Sequence, residues 1–251
     1  MLTRTILTIL VFTTCCSSEH KQDLLKGKAT FESKLNKMSV VEVDTLYSNI
    51  CRNLENGRKK LSDEYAQAGN DDAKESVLVK ARALLFTTIA DSMFVCWYGT
   101  DWDFNGTTTS PRQGNIACGY FVTTVLKQGG FQINRSHLAQ LASSEMIKAF
   151  CPDDKIKTIT NNQTKKLFDY MKTKSDGIFL IGLDNHTGFI VKKGETIDFV
   201  QANYLTNVDK VMREPLDQSE IILKNGYFMV GELLYSDATI TKWIKGEKIG
   251  E

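Results

Sequence analysis

Residues 186–204 read HTGFIVKKGETIDFVQANY, and this stretch decides the fold. β-branched and aromatic residues on either side of Lys193-Gly194 predict two antiparallel strands closed by a tight turn. A two-residue turn at Lys193-Gly194 pairs Lys192 with Glu195 and, counting outward, His186 with Gln201. Directly opposed residues share a face of the sheet, so this register sets the Gln201 side chain beside the His186 ring. A four-residue loop keeps that pairing, whereas a three-residue loop puts Val200 there. Asn203 is the reserve partner.

Working outward, further strands are expected over Ile178 to Leu183 and Tyr227 to Leu234, with a last helix around Thr239 to Lys245. Everything before them reads helical or as loop. Ser39 followed by Glu42 has the spacing of a capping box, and Val43, Leu46, Tyr47, Ile50 and Leu54 lay down one apolar stripe. Asn56-Gly57 is expected to end that helix. A second helix, Ser76 to Tyr98, is apolar around most of its circumference and should be buried. A Gly-, Thr-, Asn- and Ser-rich loop then runs to Asn115, where Pro111 excludes a continuous helix. Gly119 to Lys127 follows as a helix stopped by Gly129-Gly130, then one capped by Ser136 and carrying Leu138 through Phe150, then a short one near Lys165 to Lys172. Helices first and an antiparallel sheet afterwards make an α+β protein.

The chain has 251 residues, 42% of them hydrophobic, enough for one core with a helical appendage. Its 31 basic and 30 acidic residues leave a net charge of +1, which argues against nucleic acid as a partner. The opening MLTRTILTILVFTTCC has the layout of an export signal: Arg4, then an apolar stretch too short to span a bilayer. Cys15 and Cys16 follow it as a lipoprotein lipidation site would, although Thr13 and Thr14 match such a site poorly. The expectation is an exported protein, periplasmic or a surface lipoprotein tethered to a membrane, with plain secretion as the alternative. Residues 1–16 are then the signal, 17–98 a helical region packed on the core, and 99–251 the catalytic domain. In an oxidising compartment one bridge among Cys51, Cys96 and Cys151 is open, but the spacings define neither a disulfide framework nor a metal motif.

The candidate chemistry is that of a thiol hydrolase, which needs a nucleophilic sulfur, a base, and a group holding the base in one tautomer. Cys118 lies where the loop turns into a helix, so free backbone N–H groups and the helix dipole would favour a negative sulfur and an oxyanion. The plain alternative is a buried structural thiol. Of the three histidines, His20 falls in the tether and His137 opens an amphipathic helix. His186 starts a strand with Gly188 two residues on, where a missing side chain could admit a substrate. Gln201 orients the ring, with Asn203 in reserve. The sequons at Asn105, Asn134, Asn162 and Asn185 carry little weight in so Thr- and Asn-rich a chain.

IACGYFVTTVLKQGGF, residues 116–131, resembles the nucleophile motif of the NlpC-type amidase/peptidase family, close to DCSGFVxxVxxxxG. GTDWDFNG, residues 99–106, is similar to that family's GTPYVWGG, and HTGFIV to its His-x-Gly strand. The similarity runs from about Gly99 to Asn203 and implies a papain-like fold, a cysteine hydrolase without metal or cofactor, and peptide bonds of cell-wall peptidoglycan as substrate. Ala117 replaces the motif's Asp and Gly119 its Ser. Gln201 stands where the family commonly has His, and a neutral amide can fix a tautomer as Asn does in papain-like enzymes. Trp102 occupies the slot of a Tyr associated with oxyanion binding and keeps one N–H. Gln113 loosely resembles the oxyanion Gln of papain-like enzymes. The rivals are a catalytically idle module binding peptide or glycan on the same fold, and acyl transfer to another amine on the same residues.

Overall fold

The computed structural model describes residues 31–250. The expected signal, with Cys15 and Cys16, lies outside the described residues. The chain divides between Lys37 and Met38. Of the first unit only residues 31–37 are described, helical over 31–35. The second unit is one compact body that takes in residues 38–98 together with the expected catalytic region.

Helix Val40–Gln67 starts where the sequence places it, with Ser39 and Glu42 capping each other's backbone N–H groups. Its buried residues, Val43, Tyr47, Leu54 and Leu61, keep the helical spacing. It does not stop at Asn56-Gly57 but runs straight through. A Cβ on Gly57 would stand 2.7 Å from Leu84 Cδ2, so this glycine admits the next helix at close range instead of ending its own. Asn70 caps that next helix, Asp71–Thr88, by accepting from Ala73 N–H at 2.8 Å. A single π turn, Ile89–Met93, joins it to Phe94–Trp97, a segment buried at every residue.

The sheet has six strands, all antiparallel, in the spatial order Ile156–Ile159, Phe228–Gly231, Gly177–Gly182, Thr187–Lys193, Thr196–Ala202, Val211–Pro215. They are β2 Ile156–Ile159, β3 Gly177–Gly182, β4 Thr187–Lys193, β5 Thr196–Ala202, β6 Val211–Pro215 and β7 Phe228–Gly231. Short β1 Gln132–Ile133 and β8 Lys248–Ile249 pair in parallel apart from it. Among these, β1, β2, β6 and β8 have no counterpart in the sequence pattern. The architecture is α+β, as that pattern predicts.

Helices cover both faces of the sheet, which is why β3 is buried along its whole length and does not alternate. On one face Phe179, Ile181, Ile190 and Phe199 meet Leu167 and Met171 of helix Thr164–Lys172, together with Leu216, Ile221 and Ile222. On the other, Phe189 of β4 lies 4.9 Å from Phe94 and 5.9 Å from Phe121, ring centre to ring centre. Phe121 sits on helix Cys118–Gln128. Each such aromatic pair contributes about 1 kcal/mol beyond its area burial. The trio fastens the helix that begins at Cys118 onto the strand that follows His186. The single helix expected from Ser136 to Phe150 is two, Arg135–Gln140 capped by Asn134 and Ser143–Phe150, with the chain extended at Leu141 between them.

Candidate active site

Cys118 is delivered by a loop that borrows its shape from the sheet edge. Gly99 N–H donates to Val211 O at 2.9 Å and Trp102 N–H to Asp209 O at 2.8 Å, while Ile116 N–H donates to Asp101 O and Ala117 N–H to Gly106 O, both at 2.9 Å. Gly106 must be glycine for this crossing, since a Cβ there would lie 2.5 Å from the Ile116 nitrogen. Ala117 then stands extended at the helix start and offers no side-chain cap, so first-turn N–H groups stay available around the sulfur. Gly119 is equally constrained. Its Cβ would come 2.3 Å from Ala139 O, so the backbone of helix Arg135–Gln140 occupies the space that the serine of the resembling motif would need.

His186 sits at the end of the β3–β4 connection, where Leu183 N–H donates to its carbonyl at 2.9 Å. The residue is 4% exposed. The strand register differs from the expected one by two residues: Lys193 pairs with Thr196, and Phe189 with Val200. The turn is therefore Gly194-Glu195, with Gly194 at φ 58° supplying the left-handed position that such hairpins need. Continuing this register puts Asn203 opposite His186 and Gln201 opposite Gly188. A two-residue shift preserves the face, and Gly188 has no side chain to intervene, so Gln201 reaches the ring diagonally. His186 Nε2 and Gln201 Oε1 are 2.7 Å apart.

The direction of that bond is fixed from behind. Gln201 Nε2 donates to Glu214 Oε1 at 2.6 Å, and only the amide nitrogen can donate to a carboxylate. Gln201 therefore presents its oxygen to the histidine, Nε2 carries the imidazole proton, and Nδ1 is left as a lone-pair acceptor. Nδ1 is buried and has no hydrogen-bond partner. Burial pushes the imidazole down from its ordinary 6.5 to about 4, against the opposing pull of Gln201, so the ring is neutral at physiological pH.

Burial also raises the Cys118 thiol, while the backbone N–H groups of Thr187, Gly119 and Cys118 itself pull the other way. The expectation of a sulfur held negative by the helix start is thus outweighed by desolvation, and the resting pair is thiol and neutral imidazole. The four described cysteines are all free. Cys51 is pushed up to about 11 and Cys96 and Cys151 to about 12, by burial first of all.

Two cavities meet at the cysteine. One, of about 760 Å³, is lined by Trp102, Phe104, Tyr120 and Tyr204 among others; the second, of about 570 Å³, by Leu141, Ser143, Asp184 and Tyr227 among others. Cys118, Gly119, Ala139, Gln140, Asn185 and His186 line both. The structure thus brings together Cys118, His186, Gln201 and Trp102. The indole N–H of Trp102 is buried without a partner, and its ring lies 6.1 Å from Tyr204, which in turn lies 5.1 Å edge-on to His186.

Three expected positions do not join the site. Asn203 spends its oxygen on Leu205 N–H at 2.8 Å and its nitrogen on Met212 Sδ at 3.4 Å, shaping the turn after β5. Gly188 admits no substrate: a Cβ there would meet the Phe199 ring at 2.6 Å and Val200 O at 2.8 Å, so the glycine serves packing inside the sheet. Gln113 is exposed on the loop and lines neither cavity. Glu214 and Tyr204 join the site unannounced by any motif. Tyr204 ends the hairpin segment 186–204, whereas VMREP around Glu214 has no strand pattern of its own and becomes β6 only by pairing with β5. Among the described residues, no group of three or more His, Cys, Asp or Glu side chains is placed to hold a metal ion. Neither family models, nor curated proteins, nor solved structures give a match to this chain.

Proposed function

We propose that the chain is a cysteine hydrolase of amide or peptide bonds, on a papain-like fold of the NlpC type, with Cys118 as nucleophile and His186 as base. The observation that carries this reading is the chain Glu214–Gln201–His186, which leaves one buried lone pair, on Nδ1, in a residue that lines the same cavities as a helix-start cysteine. Orientation of a base by a hydrogen-bonded third group is the logic of catalytic triads.

In the mechanism, Nδ1 takes the thiol proton as the sulfur attacks the carbonyl carbon. Thiol and imidazole both start neutral, so proton transfer accompanies attack instead of preceding it. The oxyanion is stabilised by the free N–H groups at the start of the Cys118 helix, with the indole N–H of Trp102 as a further donor. The imidazolium then returns its proton to the leaving amine. Water, deprotonated by the same nitrogen, cleaves the thioester and restores the thiol. Peptides of the bacterial cell wall are the substrate that the family resemblance favours, and the export-signal layout of residues 1–16 favours action after export. Gln201 in place of a charged or basic third residue suits this scheme, because tautomer control needs only an acceptor.

A second reading draws on the raised thiol: a module that binds a peptide or glycan at the same cavities without turnover. Iodoacetamide at neutral pH separates the two, with Cys118 expected to alkylate much faster than Cys51, Cys96 or Cys151. Cys118→Ala should abolish hydrolysis of peptidoglycan fragments, read by mass spectrometry, while circular dichroism stays unchanged. Undiminished turnover in that variant would overturn the hydrolase reading.

A further inference from the structure

Arg135 stands between the larger cavity at Cys118 and a third one, of about 310 Å³, that it lines. Its guanidinium stacks 4.7 Å from the centre of the Tyr120 ring and donates to Thr107 O at 2.9 Å; Tyr120 and Thr107 both line the larger cavity. Further bonds go to Thr108 O at 2.9 Å and Thr124 Oγ1 at 2.7 Å. All these acceptors are neutral. Arg58, Arg82 and Arg213 each pair with a carboxylate, whereas among the described residues Arg135 has none. Burial lowers its pKa, with the Tyr120 phenol pulling the other way. A half-buried cation without a counter-charge has given up hydration that an anion would replace.

Lys127 is the second cation. It is exposed, lines the same cavity, and has no ion pair or hydrogen bond among the described residues. No carboxylate lines this cavity, and its other side chains, Asn134 and Ser136 among them, are neutral hydrogen-bonding ones. The bonds of Arg135 use Nε and Nη2 and leave Nη1, so each cation keeps a donor in reserve. Two cations around one concavity that no acid lines make a site for an anion.

We propose that this cavity is a subsite for a carboxylate of the substrate, held by Lys127 and Arg135 at a distance from the scissile amide. That the carboxylate belongs to the substrate rests on the cysteine-hydrolase reading; the anion site itself does not. Thr124 and Lys127 ride the Cys118 helix, about 9 and about 14 Å along its axis from Cys118 at about 1.5 Å per residue. An extended peptide covers about 3.5 Å per residue, so the carboxylate falls about three or four residues from the scissile bond. Cell-wall peptides with free carboxylates are thereby preferred over their amidated forms.

The test uses the full chain as Cys118→Ala, which binds without turnover, and peptides released from purified peptidoglycan, either native or with their carboxylates amidated by carbodiimide and ammonia. Affinities are read by isothermal titration calorimetry. Amidation should weaken binding about tenfold, the scale of one hydrogen bond to a charged group, and added salt should weaken only the native peptides. Lys127→Glu in the same background should abolish the preference; Lys127 is exposed and bonds to nothing described, so the variant should fold, as circular dichroism checks. Equal affinities, undetectable binding of both peptides, or a preference that Lys127→Glu leaves intact overturn the proposal. Succinate and inorganic phosphate, titrated separately against the ¹⁵N shifts of Lys127 and Arg135, tell carboxylate from phosphate. Succinate should move these shifts, and a response to phosphate alone overturns the carboxylate assignment. If wild-type Cys118 alkylates with iodoacetamide no faster than Cys51, the hydrolase reading itself falls, and succinate should still move the two resonances.

Discussion

Acidification should destabilise this protein through one residue, His186. It is 4% exposed and its ring protonates only near pH 4 in the folded chain, against 6.5 ordinarily. Between those values the unfolded chain binds a proton that the folded chain refuses, so stability falls as pH drops from 6.5 to 4 and is fully retained above 6.5. The gap of about 2.5 pH units at about 1.4 kcal/mol each comes to between about 3 and about 4 kcal/mol in full, of which about 3 kcal/mol is lost by pH 4. That is a large part of the roughly 5–15 kcal/mol that holds a domain folded. Urea titrations followed by circular dichroism at about pH 7.5 and about pH 4, on the wild type and on His186→Gln, isolate the contribution, because carboxylates elsewhere titrate alike in both. The wild type should lose about 3 kcal/mol more than the variant. Parallel losses, or the His186 imidazole resonance, assigned by its absence from His186→Gln, titrating near 6.5 in the folded protein, would refute the claim that burial keeps this ring neutral.

Glu214→Leu removes the carboxylate that sets the Gln201 amide, so both imidazole tautomers become populated; turnover should fall about a hundredfold, while Glu214→Gln, whose amide oxygen still accepts, should retain more. The ¹⁵N shifts of His186 report the tautomer directly, and a merely structural role for Glu214 would leave them unmoved. Gly119→Ser, although it restores the residue of the resembling motif, should cost about 1–3 kcal/mol in urea unfolding because its Cβ meets Ala139 O. Phe94→Ala should cost about 3–5 kcal/mol and lower Cys118 alkylation as well, since Phe94 braces both Phe121 and Phe189.

The local sequence determined a good deal. Capping at Ser39, the helix opening at Cys118 with its stop at Gly129-Gly130, and the two strands around Gly194 all follow from side chains acting on backbone within a few residues. Placing Gln201 on the face of His186 also survived a register shift of two, because strand parity alone fixes which face a side chain takes.

Tertiary structure decided what depends on residues far apart in the chain. Gly57 and Gly188 read as a stop and an opening, yet each is a point of close approach to a partner no local pattern announces, Leu84 and Phe199. Glu214 is invisible for the same reason: its strand exists only because β5 pairs with it. The protonation of Cys118 and His186 was likewise beyond sequence, since the helix start alone argues for a negative sulfur and only the depth of burial tells which effect prevails.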